Sequence, residues 1–160
     1  GAVAVVALIA SRRIAAPLIA GVPGCVLAGV VTRSPTRRAE VADAHPGVPV
    51  FASVADLVAW ASTAGSGGAG IPLIGVDNLP GSVALETYDL PRDCVLVFGQ
   101  EGPGLTPQMT QACEAVLHVE QFGSTRSINA GAAAAIAMHA WVRRHVFDQR
   151  PTLPEAGPAE

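Results

Sequence analysis

Three features of the chain predict an α/β fold, a parallel sheet with flanking helices. Short β-branched runs alternate with longer Ala-rich or amphipathic segments, the order expected when each strand is followed by a crossover helix. The runs are continuously apolar, as strands buried on both faces require. Turn chemistry separates them: 17 Gly and 13 Pro in 160 residues are heavy for a helical bundle but natural for many strand-to-helix turns.

The first run is Val3 to Ile9, and the second, Cys25 to Val31, precedes a helix over Pro35 to Ala44. Val48 to Phe51 reads as a third strand. Ser53 is a candidate N-cap for a helix to Ala64, whose apolar surface comes from Ala55, Leu57, Val58 and Trp60. Ala64 to Gly70 (AGSGGAG) reads as a flexible loop within the domain, because another strand of the same type, Ile71 to Val76, follows it. Cys94 to Phe98 is a fifth strand, Pro107 to Glu114 a helix, Ala115 to Val119 a sixth short strand, and Ala130 to about Phe147 a long last helix. Residues 1–149 are expected to form one domain. Arg150 to Glu160, with three prolines and no large apolar residue beyond Leu153, is expected to be a flexible tail.

Composition narrows the class. With 50% apolar and 14% charged residues, the chain can bury a core and is not extensively disordered. No apolar run approaches the roughly 20 residues of a membrane span, so no membrane role is expected. A net charge of −3 argues against a surface that attracts nucleic acid everywhere, but leaves room for a local basic patch. All ten basic residues are Arg, which suits bidentate phosphate contacts and base stacking, although GC-rich coding explains the bias equally well. Cys25, Cys94 and Cys113 are odd in number and lack CxxC spacing, which favours no disulfide framework, no metal and a reducing cytoplasm. Gly1 stands where Met is expected, and no secretory signal is evident, so a segment upstream is expected to be missing.

Ligands of open parallel sheets bind outside the carboxyl ends of strands. Gly75-Val76-Asp77-Asn78 and Gly99-Gln100-Glu101-Gly102-Pro103-Gly104 occupy two such ends, and a polar loop from Gln121 to Asn129 precedes the last helix. The glycine loop lacks the spacing of a dinucleotide or phosphate-binding motif and could be no more than a tight turn. Glu101 within it could hold a ligand, brace a neighbouring loop or be an ordinary surface charge. In the second loop, Ser127 or Asn129 could cap the helix, and Arg126 beside them makes the helix start suited to an anion or a polar ligand edge.

FGQEGPGL, followed after a short apolar strand by SINAGAAAAIA, resembles the second and third motifs of the SpoU/TrmH branch of the SPOUT RNA methyltransferases. The likeness covers about Val48 to Val146 and is specific in Val95 to Ala137. It implies a C-terminal trefoil knot, S-adenosylmethionine as cofactor and a homodimer joined through the last helix, where Ile136, Ala140 and Trp141 could pack against the partner or equally within their own chain. By the same resemblance, Gly75, Val76 and Asp77 form one wall of the cofactor pocket and Gly99, Gln100, Glu101 and Gly102 another. Val119, Phe122, Ser127, Ile128 and Asn129 complete it.

The implied reaction is methylation of a ribose 2′-hydroxyl in tRNA or rRNA, an in-line displacement that depends on alignment and on handling the hydroxyl proton. Asn129 and Ser127 are expected to orient the target nucleotide and the loop, Glu101 to hold the site or touch substrate, and Arg126 to hold phosphate. The family's first motif, with an Asn, a Gly and then an Arg, is not matched: no Asn precedes Asn78, Ala15 falls where the Arg belongs, and Arg12 and Arg13 lie slightly earlier. Those two arginines are either remnants of a substrate loop, and so candidates for RNA contact, or ordinary solvated charges. Either a stretch after the first strand is omitted, which is the expectation, or the motif is lost and the chain is a catalytically silent RNA-binding dimer. His45, His118, His139 and His145 are scattered and receive no role, and Cys113 reads as a buried helix residue.

Overall fold

The structure, a computed structural model, describes residues 4–9, 24–100, 102–122 and 128–147. Seven strands are described: β1 (Ala4–Ile9), β2 (Cys25–Val31), β3 (Val50–Phe51), β4 (Leu73–Val76), β5 (Val83–Ala84), β6 (Cys94–Phe98) and β7 (Ala115–His118). They form one sheet in the order β3-β2-β1-β6-β4-β7-β5, and every pairing is parallel. The helices are α1 (Pro35–Ala44), α2 (Val54–Thr63), α3 (Pro107–Ala112) and α4 (Ala130–His145). The predicted α/β architecture is therefore the observed one.

Most differences from the sequence reading lie at element ends, where prolines and side chains decide. β3 and β4 start later than expected because Pro49 and Pro72 have no N–H to donate; their carbonyls still accept from Val30 and Val95 at 3.0 and 2.9 Å. α3 stops at Ala112, and Glu114 donates its N–H to the carbonyl of Leu73 at 2.8 Å, so its backbone already belongs to the sheet. Ser53 does cap α2, accepting from the N–H of Asp56 at 3.2 Å. The AGSGGAG loop contains a single 3₁₀ turn at Ser66–Gly68, and the two-residue β5 was not foreseen. The tail from Arg150 onward lies outside the described residues.

Both faces of the sheet are covered. On one face Ile74, Val76, Leu96, Phe98 and Leu117 pack with Ala134, Ala137, Met138 and Trp141 of α4. On the other, Leu73, Val95 and Val97 pack with Leu57 and Ala61 of α2, Met109 of α3 and Leu105. Each large side chain removed from water in this way contributes about 1.5–3 kcal/mol before entropy is subtracted. The small residues at 134 and 137 let α4 lie close to the strands.

Of the two roles open to Trp141, partner contact and packing within the chain, the structure shows the second. Trp141 is fully buried, and its indole N–H donates to the carbonyls of Pro91 and Arg92 at 3.2 and 3.1 Å, so it is a core residue and not a surface for a partner. Ile136 is exposed and Ala140 half-buried.

Candidate functional site at the carboxyl edge

A cavity of about 340 Å³ opens where β4, β6 and β7 end and α4 begins. That size falls within the roughly 300–1,000 Å³ of small-molecule sites, and the position is the one open parallel sheets use. Val76, Asp77 and Asn78 come from the end of β4; Phe98, Gly99 and Gln100 from the end of β6; His118 and Val119 from the end of β7. Ile128, Asn129, Ala130 and Ala133, at the start of α4, close it.

The loop after β6 is preshaped. Gln100 and Gly104 exchange two backbone hydrogen bonds, at 3.2 and 2.9 Å, closing a tight return. A methyl group on Gly99 would run into the backbone of Gly104 and Leu105, so only glycine allows the return. Gly104 has φ +68 and lies against the Asp77 carboxylate, where a side chain would also collide. Asp77 joins three strands' ends. Its own N–H donates to the carbonyl of Leu117 at 2.8 Å, and its Oδ2 accepts the N–H of Leu105 at 2.8 Å.

At the opposite wall Asn129 caps α4, its Oδ1 accepting from the N–H of Ala132 at 2.7 Å. The capping role weighed for Ser127 or Asn129 thus falls to Asn129, and the side-chain NH₂ remains as a donor beside the cavity. Both ring nitrogens of His118 have a polar neighbour. The Ser82 hydroxyl donates to the carbonyl of Leu79 at 2.6 Å, so it accepts from Nδ1 at 2.9 Å, while Nε2 lies 3.4 Å from Glu120 Oε2.

Of the residues expected to bind a cofactor, Val76, Asp77, Gly99, Gln100, Gly102, Val119, Ile128 and Asn129 line the cavity. Two do not. Gly75 faces the other side of the sheet, where a Cβ would come 2.8 Å from Leu105 Cδ1, so it makes room for Leu105 instead. Phe122 is 95% exposed and is not among the lining residues. Glu101, Ser127, Arg126, Arg12 and Arg13 lie outside the described residues. Asn78, Gly104 and Gln121 line the cavity too, within the segments expected at the strand ends, whereas sequence reasoning missed Phe98, His118 and Ala130. The missing signal was position: His118 ends a strand at the same edge as Val76 and Phe98.

The donor set suits a neutral or cationic ligand with a flat apolar part. Val76, Phe98, Val119, Ile128 and Ala133 supply apolar wall, and Asp77 is the one carboxylate among the described lining residues, with no Arg there. No thiol competes as a nucleophile: burial pushes Cys25 and Cys113 up to about 11 and Cys94 to about 12. Cys113 sits at the C-cap of α3 and not inside it. Among the described residues no group of three or more His, Cys, Asp or Glu could hold a metal ion, and no helix is long and apolar enough to cross a membrane.

Comparison with known proteins adds the following. The family described as SpoU rRNA Methylase matches residues 20–139. An uncharacterized tRNA/rRNA methyltransferase of Synechocystis is 40% identical over 70 residues, 44% of this chain and 18% of that protein. The chain spans about a fifth of the length of the curated relatives it matches. The crystal structure of an AdoMet-bound rRNA methyltransferase from Sinorhizobium meliloti superposes with a TM-score of 0.66 at 23% identity, covering 90% of this chain and 57% of that one. A structure described as giving insight into 2-OH methylation of C/U34 on tRNA superposes at 0.62 and 18% identity, covering 92% and 99%. At such identities the likeness to solved structures concerns the fold.

Proposed function

Because the chain belongs to the SpoU rRNA methylase family, we propose that it methylates a ribose 2′-hydroxyl of tRNA or rRNA, using S-adenosylmethionine bound in the carboxyl-edge cavity. The observation that carries this reading is the pairing of a preshaped glycine loop at 99–104 with the capped start of α4 around one cavity of about 340 Å³.

When bound, the cofactor supplies an electrophilic methyl group. Val76, Phe98, Val119, Ile128 and Ala133 would hold its flat apolar part, and backbone groups at Gly99, Val119 and Ile128 its polar edges. The Asp77 carboxylate favours a cationic ligand and holds the loop after β6 in its return. Asn129 presents its amide NH₂ to orient the nucleotide, with Ser127 two residues before it in the chain, Glu101 of the glycine loop holding the site or touching substrate, and Arg126 holding phosphate. Alignment supplies most of the rate.

The same reading carries a homodimer and a trefoil knot. For the knot, support comes from strand order: β6 and β7, late in the chain, insert on either side of β4. A cytoplasmic setting accords with three free cysteines.

Isothermal titration with S-adenosylmethionine, followed by transfer of labelled methyl to unmodified tRNA and rRNA transcripts, tests the proposal. Binding and label recovered as 2′-O-methylnucleoside are expected. Label confined to bases overturns the stated reaction, and absence of cofactor binding overturns the reading of the cavity.

A further inference from the structure

We propose that Arg33, Arg37 and Arg38, at the turn from β2 into α1, form the surface that holds the phosphate backbone of the RNA; the inference rests on the function proposed above. The starting point is the charge around the cavity. Among the described lining residues Asp77 is the one carboxylate and none is Arg, so beyond the single phosphate contact proposed for Arg126 a polyanion has to be held from elsewhere.

Six arginines are described, and they divide between the two edges of the sheet. Arg92 precedes β6, and the carbonyls of Pro91 and Arg92 accept from Trp141, so the last turns of α4, with Arg143 and Arg144, lie at the amino edge. Arg144 pairs there with Asp89. Arg33, Arg37 and Arg38 follow the carboxyl end of β2 and share the cavity's edge because every strand is parallel. Register gives the separation. Val30 pairs with Leu8, Leu8 with Phe98, and Phe98 with Val76, so the end of β2 lies two strand spacings, about 10 Å, from the β6 wall of the cavity.

The patch is held in shape. Thr32 is buried, and its N–H donates to the carbonyl of Phe51 at 2.9 Å. The Arg38 guanidinium donates to the carbonyls of Arg33 and Thr32 at 3.2 and 3.5 Å, spanning the turn. Half-buried Arg37 pairs with exposed Glu40 at 3.6 Å, a surface ion pair that a phosphate can displace at little cost. Arg33 is exposed. Guanidinium groups suit phosphate oxygens because their donors match them two at a time.

The test compares the full chain with the Arg33→Ala/Arg37→Ala/Arg38→Ala variant, binding unmodified tRNA and rRNA transcripts over a series of salt concentrations. Three lost phosphate contacts should weaken binding between about tenfold and a hundredfold at 0.1 M salt and make the log–log salt slope about 2 units shallower. S-adenosylmethionine affinity should not change. The double variant Arg33→Ala/Arg37→Ala keeps the Arg38 bonds and should show an intermediate loss, so the idea stays testable if the triple variant does not fold. Wild-type affinity and slope in the double variant overturn the patch while leaving the proposed function standing. A wild-type chain that binds cofactor and no RNA overturns both.

Discussion

The carboxylate of Asp77, at the end of β4, accepts the backbone N–H of Leu105 at 2.8 Å and so locks the loop that follows β6. Asp77→Asn keeps the shape and removes the charge. Hydrogen bonds to charged groups are worth about 1.5–3 kcal/mol, so cofactor affinity should fall roughly tenfold or more and amide exchange at Leu105 should quicken. Calorimetry and hydrogen exchange measure both. Unchanged exchange at Leu105 would show that the carboxylate does not brace the loop.

Gly99→Ala should be far worse than an ordinary surface change. The added methyl has no space against Gly104 and Leu105, and overpacking of this kind costs about 1–3 kcal/mol or more. Thermal unfolding should drop by several degrees, and cofactor titration should show no saturation. A variant that melts and binds like wild type would refute the tight return.

Asn129 has two jobs that substitution can separate. Asn129→Ala removes the cap as well as the amide and should cost about 1 kcal/mol of stability. Asn129→Ser keeps a capping oxygen and loses the amide, so stability should recover while methyl transfer stays low. Recovery of turnover along with stability would leave Asn129 with a capping role alone.

The buried thiols predict a pH dependence. Folding raises Cys25 from 9.0 to about 11 and Cys94 from 9.0 to about 12, so the folded state holds protons that the unfolded state releases. The resulting stability is fully present below pH 9 and is lost as pH rises through 9 towards 11–12. Denaturant midpoints measured from pH 7 to 10.5 should fall above 9, and Cys94→Ala should flatten the fall.

Much of this site was legible from residue type alone, because it is built from strand ends. Apolar runs located β4, β6 and β7, and the residues after them had to lie at one edge of a parallel sheet. Gly75 shows the limit of that logic. It sits within the right segment, but the alternation of a strand sends it to the face of Leu105, away from the cavity. His118 shows the converse, since an isolated histidine carries no signal until Ser82, 36 residues away in the chain, is brought beside it.

Sequence by itself determined the fold class, the order of the longer elements and the two loops that meet at the cavity, since apolar period, proline and glycine act locally. Only the tertiary structure decided which side chains within those loops face inward, that Trp141 belongs to the core, and that three arginines share an edge with the cavity. Strand order is the reason. β6 and β7 join the sheet on either side of β4, and a juxtaposition made by non-consecutive strands leaves no mark on any single stretch of chain.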